Sequence, residues 1–176
     1  MSSDNSRSRK AHGRGHGSVS HVLQNHCFGC GQGNPDGLRL RFELAPSGRS
    51  FVCRFRLGPR WVGPPGHAHG GVIATILDEA MGKANKLRQV IALTREMTVE
   101  YLRPVPLKQW LTVEGRTRAV RGRTQHNVAE IRNENGEILA RSRAKFIAID
   151  AEKMFAKHIK GRERALGVMQ RGLQQK

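Results

Sequence analysis

The chain has 176 residues, room for one domain with extensions. Its three cysteines are an odd number and its first twenty residues are polar, which argues against a secreted disulfide-built protein. No apolar run nears the roughly 18 residues that cross a bilayer, so no membrane span is expected and a cytoplasmic protein is. The net charge is +17; residues 1–22 hold +3 (four basic side chains, one acidic) and residues 151–176 hold +5 (seven basic, two acidic). The remaining +9 sits on the body, so the tails do not explain the basicity and an anionic partner is expected.

In chain order, residues 1–22, rich in Ser, Gly, His and Arg, read as a disordered basic tail. Cys27-x-x-Cys30 with His21 and His26 has zinc-ligand residue types, but the spacing is irregular and no second Cys pair follows, so no metal is expected. Leu38 to Leu44 and Phe51 to Leu57 alternate apolar and polar residues, and Ser47-Gly48 between them suits a hairpin turn. Cys53 falls on the second of these strands and reads as core. Pro59, Pro64 and Pro65 stiffen the loop that leads to a helix expected from about His69 to Leu87. Strands follow at about Arg95–Tyr101, Trp110–Val120, Thr124–Asn133 and Ile138–Ile149, with turns at Arg121-Gly122-Arg123 and Asn135-Gly136. One helix against a long antiparallel meander is an α+β layout, with the helix on the concave sheet face. Residues 151–176 read as a basic helical extension interrupted at Gly161 and Gly167.

The helix carries the chemistry. Ile73, Ile76, Leu77, Ala80 and Ala84 recur at helical spacing and define a face meant for a core. His69-Gly70-Gly71 at its start leaves bare amide N–H groups with the positive end of the helix dipole behind them, a place to hold a carbonyl oxygen that acquires negative charge. Asp78 is a carboxylate in an otherwise apolar stretch, and Glu79 lies about 100° around the helix, where a partner such as an Arg is expected. Nine residues separate His69 from Asp78, roughly 13 Å of axial rise, which one Asp side chain does not cover. If the Gly amides and Asp78 act on one bond, they come from two chains with these helices side by side and antiparallel. A dimer is therefore expected.

Taken together, several segments resemble the hotdog-fold thioesterases, in the phenylacetyl-CoA-thioesterase-like branch. They are Cys27-Phe28-Gly29-Cys30-Gly31, Asn34-Pro35, Gly37-Leu38, Gly63-Pro64-Pro65-Gly66, the His69–Gly82 stretch and Met97 to Leu107 with its Arg103-Pro104-Val105-Pro106. The resemblance covers about residues 23–150. It implies one long helix wrapped by a curved antiparallel sheet of about six strands. It further implies hydrolysis of an acyl-CoA thioester without a metal or redox cofactor, in a homodimer or a dimer of dimers.

By the same resemblance Asp78 is the catalytic acid, acting as base for water or as the nucleophile that forms a mixed anhydride. Gly70 or Gly71 supplies the N–H that holds the oxyanion, His69 orients the loop or the carbonyl, and Thr94 contacts the water or the carboxylate. His67 reads as loop, and the Cys27–Cys30 segment as a structural lead-in to the first strand. Some active relatives carry an Asn six residues before the His; here that residue is Gly63. Arg103, Arg118, Arg121 and Arg123 lie at strand ends and turns, where planar guanidinium groups suit coenzyme A phosphates. Asn85, near the helix end, is a further polar candidate for substrate contact. Two rivals stand beside this reading: a non-catalytic acyl-CoA-binding hotdog protein, and a nucleic-acid-associated protein using its basic surface. Low aromatic content and the lack of an aromatic–basic strand weigh against the second.

Overall fold

A computed structural model describes residues 25–151 and 153–155. The expected tail at 1–22, and the helical extension beyond residue 155, lie outside the described residues. The described residues contain β1 (Glu43–Leu44), β2 (Phe51–Arg56), α1 (Gly70–Ala84), β3 (Ala92–Tyr101), β4 (Trp110–Arg121), β5 (Thr124–Asn133) and β6 (Ile138–Ala148). A 3-10 turn, Asn85–Arg88, continues α1. The strands make one antiparallel sheet in the order β1-β2-β4-β5-β6-β3.

This is the expected layout with two corrections. Leu38 to Leu44 forms a ladder only at Glu43–Leu44, because Arg39 sits in the left-handed region (φ 52°) and the residues before β1 bond instead to the Phe28–Gly29 backbone. The strands are also not a simple meander. β3 crosses to the far edge and, among the described residues, pairs only with β6, so there one side of it is an open edge.

The helix lies where the apolar spacing placed it. Ile76, Leu77, Ala80, Met81 and Ala84 are fully buried, and Ile73 nearly so. Full burial of each large aliphatic side chain contributes about 1.5–3 kcal/mol. The helix crosses β4 at Gly115, where a Cβ would lie 2.1 Å from the Ala80 carbonyl oxygen, so only glycine allows this approach. Asn127 of β5 clamps the helix end: its side-chain N–H groups donate to the Met81 carbonyl and to Asn85 Oδ1, each at 2.8 Å. Cys53 is buried in the core as expected. The Ser47-Gly48, Gly122 and Asn135-Gly136 turns each place their glycine at positive φ (68°, 54° and 79°).

Candidate active site

The helix start is built by a tight loop. Gly63 N–H donates to the His67 carbonyl and His69 N–H to the Trp61 carbonyl, each at 2.9 Å. A Cβ on Gly63 would lie 2.7 Å from His69 Cα. The residue that replaces the Asn of some relatives is therefore one that this loop needs to be glycine. Gly63→Asn is expected to cost about 1–3 kcal/mol through overpacking and to lower the melting temperature without raising any activity; an unchanged melting temperature would show that the loop has slack.

His69 is the N-cap in extended conformation (φ −64°, ψ 139°), and its Nδ1 accepts the Gly71 N–H at 3.0 Å. This separates the two glycines. The Gly71 donor is engaged by the cap, whereas among the described residues the Gly70 N–H donates to nothing. Of the pair, Gly70 is the one with a donor to offer. The Tyr101 ring stands against Gly70, its hydroxyl donating to the Gly70 carbonyl at 3.1 Å. Tyr101 belongs to the stretch that carries the family resemblance, but nothing in its sequence position signals this contact. A cavity of about 410 Å³ opens here, lined among others by Pro64, His67, Gly70, Ile73, Tyr101 and Arg103. His67, read as loop, thus borders the cavity; its Nδ1 lies 2.9 Å from the Pro65 carbonyl oxygen.

The second half of the site lies eight residues along the helix. Asp78 is partly buried, and the Thr94 hydroxyl donates to its Oδ1 at 2.8 Å. Loss of water around the carboxylate pushes its pKa up, the Thr94 hydrogen bond pulls it down, and the neighbouring Glu79 charge raises it again; the net shift is upward. A carboxylate held in this way is more basic than a solvated one. Glu79 pairs with Lys83 at 3.1 Å, not with an Arg.

Within one chain the two halves do not meet. Thr94 and Tyr101 mark them on β3, seven positions apart, which is about 23 Å of extended chain. The expected Asp78–Thr94 contact is present, and Gly70, Gly71 and His69 are together, but Asp78 is not with them.

The basic candidates divide between the two ends. Arg103 borders the cavity and forms an ion pair with Glu137. Arg121 and Arg123 flank the β4–β5 turn at the Thr94 end of the sheet, and Arg123 Nε donates to the Ala148 carbonyl at 3.2 Å. Asn85 does not face substrate: it is 2% exposed, and its side-chain oxygen is occupied by Asn127. On the outer sheet face much of the basic charge is paired, Arg141 with Glu100 and Lys145 with Glu96, both at 2.7 Å. The exposed Trp110 ring has the Arg54 and Arg56 guanidinium groups at 4.6 and 5.4 Å.

The chain is similar to several known proteins. Residues 65–140 match the family described as "Thioesterase superfamily". An acyl-coenzyme A thioesterase THEM4 from Xenopus laevis is 33% identical over 91 residues, covering 52% of this chain and 41% of that protein. The chain spans about half or less of the length of the curated relatives it matches. Among solved structures, the thioesterase superfamily protein RHA08564 superposes with a TM-score of 0.66 at 31% identity, covering 70% of this chain and 60% of that one. The BH2602 protein from Bacillus halodurans, solved with CoA, superposes with a TM-score of 0.57 at 25% identity, covering 64% of this chain and 75% of that one. No helix among the described residues is long and apolar enough to cross a membrane. The matched residues run from the loop that presents Gly70, through the helix that carries Asp78, to the inner strands of the sheet, and over residues 65–140 the chain matches the thioesterase superfamily.

Proposed function

We propose that this protein hydrolyses acyl-CoA thioesters at a site built by two copies of the chain. The observation that carries the reading is the half-buried Asp78 carboxylate, tied to Thr94 on a strand whose outer edge is unpaired among the described residues. An open β3 edge is a template for a second strand. Antiparallel pairing of β3 with the β3 of another copy, centred between Met97 and Thr98, sets Thr94 of one chain opposite Tyr101 of the other. Asp78 of the first chain then lies beside Gly70 of the second. The same pairing covers Leu93 and Tyr101, which a single chain leaves 44% and 54% exposed. It also brings Arg121 and Arg123 of one chain to the side of the site that holds Arg103 of the other, three guanidinium groups suited to coenzyme A phosphates.

In this arrangement the thioester carbonyl oxygen lies at the Gly70 N–H, reinforced by the helix dipole. Asp78 of the opposite chain acts as base for water or attacks the carbonyl carbon itself, and the coenzyme leaves as its thiol. Thr94 holds the carboxylate in place. Support comes from the similarity to proteins named acyl-coenzyme A thioesterases and to a CoA-bound structure. Release of free thiol from a panel of acyl-CoAs differing in chain length and aromaticity tests the reading. At least one member is expected to turn over catalytically, and binding without thiol release across the whole panel would exclude hydrolysis.

A second reading is favoured by Gly63. With no side chain at the position where some relatives place an Asn for the water, the protein would bind acyl-CoA without hydrolysing it. The same panel separates the two, since this alternative gives saturable binding and no thiol.

A further inference from the structure

We propose that Cys27, Cys30 and Glu79 bind one zinc ion that ties the amino-terminal segment to α1. Their ligand atoms, two Sγ and a carboxylate oxygen, all lie within 4.8 Å of one another. This does not rest on the thioesterase reading, and it departs from the expectation drawn from sequence, where the third ligand was out of sight.

The two cysteines sit on one tight turn. Gly31 N–H donates to the Cys27 carbonyl at 2.9 Å, and Asn25 Oδ1 accepts the Cys27 N–H at 2.9 Å. A Cβ on Gly31 would lie 2.4 Å from the Cys27 nitrogen and oxygen, so the turn requires glycine. The third ligand comes from the helix, 52 residues further along the chain, with Glu79 Oε2 at 3.7 Å from Cys27 Sγ. Gly29 makes that approach possible, since a Cβ there would lie 2.4 Å from Glu79 Oε2. In a tetrahedral zinc site with Zn–S near 2.3 Å and Zn–O near 2.1 Å, ligand atoms are separated by roughly 3.6–3.8 Å. Cys27 Sγ and Glu79 Oε2 already stand at 3.7 Å, and all three ligand atoms lie within 4.8 Å of one another.

The charge around the cluster fits a divalent ion. Two thiolates and a carboxylate around Zn²⁺ leave one negative charge. Lys83 Nζ, 2.9 Å from Cys30 Sγ and 3.1 Å from Glu79 Oε1, neutralises it and leaves Oε2 for the metal. A lysine that orients a ligating carboxylate and donates to a thiolate is the kind of outer partner that fixes a metal site. Paired thiolates favour zinc over calcium or magnesium, which take oxygen ligands. Binding releases the two thiol protons to solvent and changes no oxidation state, and a water completes the coordination. The competing use of the same sulfurs is a Cys27–Cys30 disulfide. That bond leaves the inward approach of Glu79 and the placing of Lys83 without a purpose, which is why the metal is the better reading.

The test uses the full chain, purified reduced and freed of metal, then titrated with Co²⁺ as the optical probe. The expected result is about one Co²⁺ per chain with a thiolate-to-cobalt charge-transfer band, bleached when Zn²⁺ displaces it. Cys27→Ser and Cys30→Ser should each remove most of the band, Cys53→Ser in the core should leave it, and Glu79→Gln should weaken affinity about tenfold or more. Glu79→Gln removes no sulfur and stays on an intact helix, so it remains informative if a cysteine variant misfolds. Zinc should also raise the melting temperature of the unaltered protein. Absence of the band, or a band that survives both cysteine changes because histidines hold the ion, overturns the proposal. So does a Cys27–Cys30 disulfide in the purified protein that takes up no metal after reduction.

Discussion

Asp78→Asn is expected to lower kcat for thioester hydrolysis by roughly 10²-fold or more, the size of a lost acid–base or nucleophilic contribution. Asparagine keeps an oxygen where Thr94 donates at 2.8 Å, so the loss would report the missing charge and not a missing contact. Asp78 is half-buried in α1, and burial of a charge carries a desolvation cost that the neutral amide avoids. The melting temperature of the variant at neutral pH should therefore equal or exceed that of the unaltered protein. Glu96→Gln, on the outer sheet face where Glu96 pairs with Lys145, serves as the control and should leave kcat near its original value. Equal losses from the two changes would remove Asp78 from the reaction. A fall in melting temperature would instead assign it a structural part.

Mixing two inactive chains should restore activity. One carries Asp78→Asn; the other carries Gly70→Pro, which deletes the N–H that no described group occupies. Gly70 is the first residue of α1, where proline is tolerated, and His69 before it is already in the extended region that precedes proline comfortably. In a two-fold dimer each site takes Asp78 from one chain and Gly70 from the other. A mixed dimer then holds one doubly defective site and one intact site. Random reassortment makes about half the dimers mixed, so roughly a quarter of all sites should recover after the chains are unfolded and refolded together. Recovery measured as thiol release, with mixed dimers demonstrated by differential tagging, supports the shared site. Mixed dimers with no recovery would place the whole site within one chain. If Gly70→Pro proves active alone, the donor is Gly71 despite its bond to His69, and the same mixing is done there.

Local periodicity was enough for the helix and for most of the sheet. The apolar spacing of Ile73, Ile76, Leu77, Ala80 and Ala84 marked the buried face, and all five are buried. Asn135-Gly136 and Gly122 marked hairpin turns because positive φ is cheap only for a few residue types. The family resemblance gave Thr94 to the water or to the carboxylate, and its hydroxyl lies on the Asp78 carboxylate at 2.8 Å.

Other features depended on where distant segments meet, which no local pattern encodes. Arg39 at φ 52° cut the first strand to two residues, and β3 moved to the sheet edge, where it leaves the side that a second chain would use. Asn85 was drawn inside by Asn127, a residue 42 positions away, so a polar side chain that looked free for substrate is held in the domain. Gly70 and Gly71 are identical by residue type, yet only the folded loop, by turning His69 Nδ1 onto the Gly71 N–H, decides which donor is left over. Beside the Cys27-x-x-Cys30 pair the sequence offered His21 and His26 at irregular spacing, whereas the carboxylate that the fold brings to Cys27 is that of Glu79, on α1 where it passes Gly29. Spacing along a chain governs which face a side chain occupies; which faces touch is set by packing across the sheet.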